Sequence, residues 1–458
     1  MPNELRICLK LNTRGYPRTL KVPNPSVCRK DIPLLKLIVH HSPHLLAFLY
    51  GLQLRLSKPQ WHHVLRLCDT LIVSEARHKT IASLYRLLVD APDASNAADT
   101  LRISPWSAEE LRAPIRRFIV NDLIAYAQQS NQWTLYVSLD DSLGTKDKDT
   151  RHLEAVDYHH DHTKSQSKTK PAYTNGAVHV EVRLELGQRA YAYDWRLYLR
   201  EKTVRRINRK RTPDKRLRFR KKTALAQEML AELQRLLPPT FQVYVLFDSW
   251  YCANRLLKFC RRHNWHVICA IKSNRKLADK KLWQWSQALR HQRYQRATLT
   301  ATDGRQQSYL VRTLRDKLNK LPFKVCVLIT KRHHRDKRPK YFLSTDLSLS
   351  AQQILSTYQK RWPIEVDNFY VKQHLGLADF RVRSFEATEK WYAVVFLALA
   401  FLQWRLNHEG KKQWYSLGDV VRQHRYEHGR TLLETACQEA AKLRNSIPVL
   451  ERFLCHAA

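Results

Sequence analysis

The chain has 458 residues, with 80 Lys plus Arg against 41 Asp plus Glu and a formal net charge of +39. A hydrophobic share of 44%, interrupted by only 10 Gly and 18 Pro, excludes a disordered basic tail and predicts packed cores in roughly two or three domains. A globular chain this cationic repels itself unless it meets a polyanion, and nucleic acid is the default partner. Nine cysteines, at 8, 28, 68, 252, 260, 269, 326, 437 and 455, form no C-x-x-C pair and read as small core residues in a reducing compartment. The start, MPNELRICLKLNTRGY, lacks an apolar stretch and a cleavage site, so export is not expected. The longest apolar run, Trp391 to Leu402, falls short of the roughly 20 residues a bilayer span takes and predicts a buried helix, hence no membrane partner and a cytoplasmic protein.

In chain order, residues 1 to 130 carry apolar residues at helical spacing. DAPDASNAAD, 90 to 99, reads as a loop, and Ser104-Pro105 as an N-cap followed by the first helical position. From Trp133 the period changes. WTLYVSL predicts a strand that stops at Asp140 and Asp141, and HVEVRLEL and RAYAYDWRLYL predict two antiparallel partners for it. A basic segment, 200 to 222, leads to a helix (TALAQEMLAELQRLL), a strand (QVYVLF) ending at Asp248, another helix and another strand (HVICAIK). Residues 275 to 347 interrupt this alternation with four strand-like runs and read as a separate β-rich insertion. Helical pattern resumes at SAQQILSTYQKRW and continues to the C-terminus.

Asp140 and Asp248 follow apolar strands, so a rigid core would present both carboxylates to solvent at the strand ends, where open α/β sheets bind ligands. Two such carboxylates suit a hard divalent cation, and a third would allow a pair of ions of the kind that stabilises phosphodiester displacement. Glu365 in YQKRWPIEVDNFYVKQHLGL is the candidate. A strand-end aspartate taken alone is as well explained as a turn or helix cap. Steps of three, four and seven residues place Tyr358, Arg361, Glu365 and Lys372 on one helical face, although Pro363 must either start a new helix or bend a continuous one. Such a face suits a phosphate backbone passing a metal site: Arg361 and Lys372 neutralise phosphates, Tyr358 donates a hydrogen bond and Glu365 holds metal. The other reading is an ordinary solvated charged face.

The Tyr358, Arg361, Glu365, Lys372 spacing resembles the Y-R-E-K pattern of DDE-class cut-and-paste insertion-sequence transposases, and LDDSLGTK and LFDSWYCAN resemble that family's two aspartate motifs. The similarity covers roughly residues 133 to 400. It implies an α/β fold with an RNase H-like core and an inserted β-rich subdomain, flanked by helical N- and C-terminal regions. The corresponding divisions are 1–130 (helical, binding DNA ends), 131–274 (first part of the core), 275–347 (insertion), 348–405 (second part, with the glutamate helix) and 406–458 (helical). It further implies Asp140, Asp248 and Glu365 as catalytic, metal-holding residues and Tyr358, Arg361 and Lys372 as DNA contacts. Asp140 fits the first position better than Asp141 because Ser142 follows it at the family's distance, but Asp141 stays open. The implied cofactor is Mg²⁺, with Mn²⁺ able to substitute, two ions per site. The implied partners are terminal inverted repeats and target DNA, bound as a homodimer in a bacterial nucleoid. The implied activity is DNA cleavage followed by strand transfer; the alternatives are a metal-dependent nuclease that does not join DNA and an inactive DNA-binding descendant.

Weaker features remain. Trp283 and Trp285 are counterparts of an aromatic that stacks on a flipped base in such relatives, or core residues. YHHDH, 158 to 162, has metal-ligand residue types without zinc-like spacing and reads as a loop, and the 200 to 222 segment reads as a phosphate-binding strip.

Overall fold

The computed structural model describes residues 35–161, 172–300, 304–336, 338–410 and 414–454. The expectations about the first 34 residues and about Cys8, Cys28 and Cys455 lie outside them. The six cysteines within them are free thiols, five of them buried.

Among the described residues five helices come first: α1 (Pro43–Leu52), α2 (Lys58–Val73), α3 (Ile81–Tyr85), α4 (Ala94–Arg102) and α5 (Glu109–Ser130). The stretch read as a loop is mostly α4, because Asp93 caps a helix there by accepting the Ser95 N–H at 2.7 Å. Conversely, α5 starts at Glu109 and not at Pro105. The buried Trp106 explains the shift: its indole donates to the Thr100 carbonyl at 2.8 Å, tying the Ser104–Ser107 turn to α4.

The sheet begins with β1 (Thr134–Thr145), β2 (Asp157–Asp161), β3 (Ala172–Leu186) and β4 (Arg189–Tyr198), followed by α6 (Glu201–Asn208) and α7 (Lys222–Leu236). Next come β5 (Gln242–Phe247), α8 (Asn254–Arg262) and β6 (His266–Ala270). β3 pairs antiparallel with β1 and β4, whereas β1, β5 and β6 are parallel, so these strands lie in the order β4-β3-β1-β5-β6. The right half therefore needs crossover helices, which α7 and α8 supply.

The 275–347 segment holds a small hairpin, β7 (Lys276–Leu277) and β8 (Lys280–Lys281), then α9 (Leu282–Ala288) and the strands β9 (Gln295–Thr300), β10 (Gln306–Lys317), β11 (Lys324–Lys331) and β12 (Lys340–Ser344). It is not separate from the main sheet. β12 pairs antiparallel with β6, so β12, β11, β10 and β9 extend one ten-stranded sheet among the described residues. Ala297, Leu299, Val311, Cys326 and Leu328 of these strands share a core with Tyr244, Leu246 and Ile268. A helix at Trp283 was not expected because only one of its seven residues, Leu282, is buried, which leaves no apolar stripe to read.

α10 (Ala351–Gln359) and α11 (Pro363–Gln373) follow, then α12 (Phe385–His408), α13 (Leu417–Leu443) and α14 (Ile447–Phe453). The Trp391–Leu402 run forms the middle of α12 and is buried throughout, and no helix among the described residues is long and apolar enough to cross a membrane. α7 and α8 cover one face of the sheet, where Val137, Leu139, Val245 and Phe247 point; α10 and α11 cover the other.

Where β1 and β3 run side by side, a Cβ on Gly176 would press on the Gly144 carbonyl oxygen and the Leu143 side chain. Backbone cannot yield as a side-chain tip can, so Gly176→Ala is expected to cost about 3 kcal/mol. A urea midpoint unchanged from wild type would show that this approach is not maintained in solution.

Candidate active site

Adjacent strand residues point to opposite faces, and this separates the two neighbouring aspartates. β1 does not end at them: it continues to Thr145 against β3, while its parallel partner β5 stops at Phe247, opposite Leu139. Asp140 thus lies where β1 leaves β5, one position past the last pair, and Asp248 lies at the same level past β5. Asp140 shares the face of Ser138, whose hydroxyl donates to the Lys360 carbonyl at 3.4 Å between α10 and α11. Asp141 shares the α7 face, where it accepts from Lys222 Nζ at 2.5 Å and from the Tyr251 hydroxyl at 3.0 Å.

Asp248 stands just before α8 and accepts the Trp250 N–H at 2.8 Å and the Tyr251 N–H at 3.3 Å through Oδ1, which leaves Oδ2 without a bond from these turn amides. Pro363 starts a new helix. It occupies the first turn of α11, and the Tyr358–Glu365 junction is held by i to i+3 bonds such as Arg361 N–H to Tyr358 O at 3.1 Å. α11 ends before Gly376, whose φ of +65° closes the helix. This turn projects Arg361 between two carboxylates: Nη1 donates to Asp140 Oδ2 at 2.8 Å and Nη2 to Glu365 Oε1 at 2.7 Å. One guanidinium therefore joins the β1 aspartate to the α11 glutamate, 12% exposed against 21% and 36% for its partners.

Burial pushes the Asp140 carboxyl up to about 6, against the pull of Arg361 and the Asp141 N–H, and the negative charges of Asp141 and Asp248 add to the rise. Tyr358 packs edge-on against Phe342 at 4.9 Å with the Arg361 guanidinium 5.8 Å from its ring. Burial raises its hydroxyl to about 12, so it stays a donor at neutral pH. Burial lowers Lys372 from its ordinary value, while Glu181 and Asp140 act against that shift. Tyr358, Arg361 and Glu365 thus lie together across a helix end, a turn and a second helix, while Lys372, in the last turn of α11, is near enough to Asp140 for their charges to interact.

α11 is fixed from below by a row on β3. Arg183 Nε donates to Asp367 Oδ2 and its Nη1 to Glu185, both at 2.9 Å; Lys360 reaches Glu185 at 3.1 Å, and Gln403 reaches Asp367 at 3.0 Å. Glu181, directly opposite Asp140 in the ladder, belongs to this row and is fully buried. Burial raises its carboxyl well above the usual range, with Asp367 adding. Sequence reading did not single it out. The signal was present in HVEVRLEL, whose odd positions from His179 to Glu185 are all polar, but α11 and α12 had to be known to cover that face.

Trp283 is 40% exposed, while Trp285 is partly buried and donates its indole N–H to the Leu277 carbonyl at 3.0 Å. Within YHHDH, residues through Asp161 form β2, not a loop, since β3 offers it an edge to pair with, and His162 lies outside the described residues. The 200–222 segment contains α6, and some of its cations are already engaged: Arg211 holds Glu154 and Glu386, and Lys222 holds Asp141. Trp250 is 44% exposed beside Lys222, whose ammonium stands 5.1 Å from its ring centre.

No curated protein matches the chain in sequence. The family described as DDE superfamily endonuclease matches residues 55–321, more than half of the chain. That span starts just before α2, includes Asp140 and Asp248, and ends before Glu365. The chain belongs to the DDE superfamily endonucleases, a family of nucleic-acid-cleaving enzymes.

Proposed function

We propose that this protein is a DNA transposase that cleaves the ends of its own element and joins them to target DNA, with Asp140, Asp248 and Glu365 as the catalytic carboxylates. The observation that carries this reading is the single Arg361 guanidinium shared by Asp140 and Glu365, with Asp248 near enough for its charge to help raise the Asp140 carboxyl. The β4-β3-β1-β5-β6 order supports an RNase H-like core. The donors are hard carboxylate oxygens gathered around a cationic group, which fits Mg²⁺ or Mn²⁺, and two ions held there would activate the attacking oxygen and offset charge on the scissile phosphate.

The remaining work falls to this chain's own groups. Arg361 neutralises the acidic cluster when DNA is absent and turns to a backbone phosphate when it binds. Tyr358, held protonated, donates a hydrogen bond to the strand, and Lys372 supplies positive charge from the last turn of α11. Trp250 offers an exposed ring beside the cut, where base stacking is tolerant of sequence. Asp141 is a structural neighbour that anchors α7. Asp141→Asn is therefore expected to keep DNA nicking within about tenfold of wild type and to cost about 1 kcal/mol of stability. Nicking abolished by Asp141→Asn but kept by Asp140→Asn would exchange the two roles.

The experiment for the function supplies the purified chain with terminal-repeat DNA, a target plasmid and Mg²⁺. Covalently joined products are expected. Nicked ends that never become joined would leave a nuclease, and tight binding without nicking under any divalent ion would leave a DNA-binding descendant.

A further inference from the structure

A second cluster of metal-binding side chains is built on elements that carry none of the carboxylate site. Asp69, in α2, is fully buried. Its Oδ1 meets His424 Nε2 at 2.8 Å and His428 Nε2 at 2.9 Å, and its Oδ2 meets His41 Nδ1 at 2.8 Å. His424 and His428 are four residues apart on α13, hence on one helical face, and both are buried, with their rings 4.8 Å apart and nearly perpendicular. The neighbouring cation, Arg405, is committed elsewhere: it holds Glu427 at 2.9 Å and Glu409 at 3.0 Å. Among the described residues, Asp69 is therefore a buried carboxylate surrounded by imidazoles, with no guanidinium or ammonium bound to it. Burial by itself would raise its carboxyl, and hydrogen bonds from His41, His424 and His428 hold it well below the usual range.

We propose that Asp69, His424 and His428 form a three-ligand Zn²⁺ site that pins α13 to α2, its fourth position filled by water, with His41 orienting the carboxylate from outside. The three donor atoms lie within 4.8 Å of one another. Donors around a tetrahedral ion with bonds of ~2 Å stand about 3.3 Å apart, against 2.8 and 2.9 Å here between the carboxylate oxygen and the two ring nitrogens, so an ion draws the carboxylate oxygen back and turns both rings toward itself. Two imidazoles and one carboxylate suit zinc or cobalt, whereas magnesium asks for oxygen ligands, which keeps this site chemically distinct from the one at Asp140. His41, bonded to the far carboxylate oxygen, occupies the place of the outer partner that fixes a metal-bound ligand. The contact joins residues 355 positions apart, so an ion there closes a very long loop of chain.

The test uses the full chain, stripped of metal and reloaded with Zn²⁺ or Co²⁺. About one zinc per chain is expected in wild type and in Asp248→Asn, falling at least about tenfold in His428→Gln. Co²⁺ in the wild-type chain is expected to give the intense visible bands of a tetrahedral site, bleached by Zn²⁺ and untouched by Mg²⁺. The cobalt spectrum needs no variant, so it decides even if His428→Gln fails to fold. Folded wild-type chain that binds no zinc and shows no such bands would overturn the proposal, as would bands lost in Asp248→Asn but kept in His428→Gln.

Discussion

Asp248→Asn is expected to lower Mg²⁺-dependent cleavage of terminal-repeat DNA by about a thousandfold while leaving the fold intact. The asparagine keeps the size of the side chain and an oxygen for the Trp250 and Tyr251 N–H groups, so the turn into α8 survives. What it loses is the charge of a carboxylate just past the end of the adjacent parallel strand, as Asp140 is one position past the last pair of β1 with it. The check is nicking of a terminal-repeat substrate beside a thermal melt. A variant that melts like wild type and cuts at wild-type rate would remove Asp248 from the site.

The second large effect belongs to Arg361. It sits between Asp140 and Glu365 with 12% of its side chain exposed, so Arg361→Met leaves two carboxylates facing each other beside Asp248 and the buried Glu181. Without divalent ions this is expected to cost about 2 kcal/mol, reduced from the value for a fully buried pair because Glu365 is partly solvated. Mn²⁺ should then stabilise the variant more than wild type, because in the variant no guanidinium competes for the same oxygens. Cleavage is expected to fall about a hundredfold even with metal, since phosphate neutralisation is lost. Equal melting of variant and wild type, with and without Mn²⁺, would mean that Arg361 does not hold the carboxylates together.

Much of this site was legible in the sequence because it depends on local rules. An apolar run of strand length ending in an acid marks where a backbone leaves the core, and WTLYVSL and QVYVLF became β1 and β5 with their aspartates level. The step of four from Arg361 to Glu365 brings those two side chains into contact across the break at Pro363, because i to i+3 bonds continue the turn there. What was not legible depends on partners far along the chain. Nothing local says which of Asp140 and Asp141 faces α11, since neighbours on a strand always oppose each other and the covering helix arrives more than 200 residues later. β1 runs past its acids because β3 stays paired after β5 ends. The β9–β12 strands looked separate because their turns are local, whereas the edge they join, β6, lies before them. The burial of Glu181 and Arg183 was not legible because polar alternation is the pattern of a solvated strand, and only the arrival of α11 and α12 covers them.

The most direct test of the central claim is anomalous diffraction from crystals of the chain bound to terminal-repeat DNA in Mn²⁺. Manganese peaks at coordination distance, about 2.2 Å, from carboxylate oxygens of Asp140 and Asp248, with Glu365 joining them and Arg361 turned to a phosphate, are the predicted result. Manganese bound through Asp141 on the α7 face, or no manganese at Asp140, Asp248 and Glu365 while DNA is in place, would contradict it.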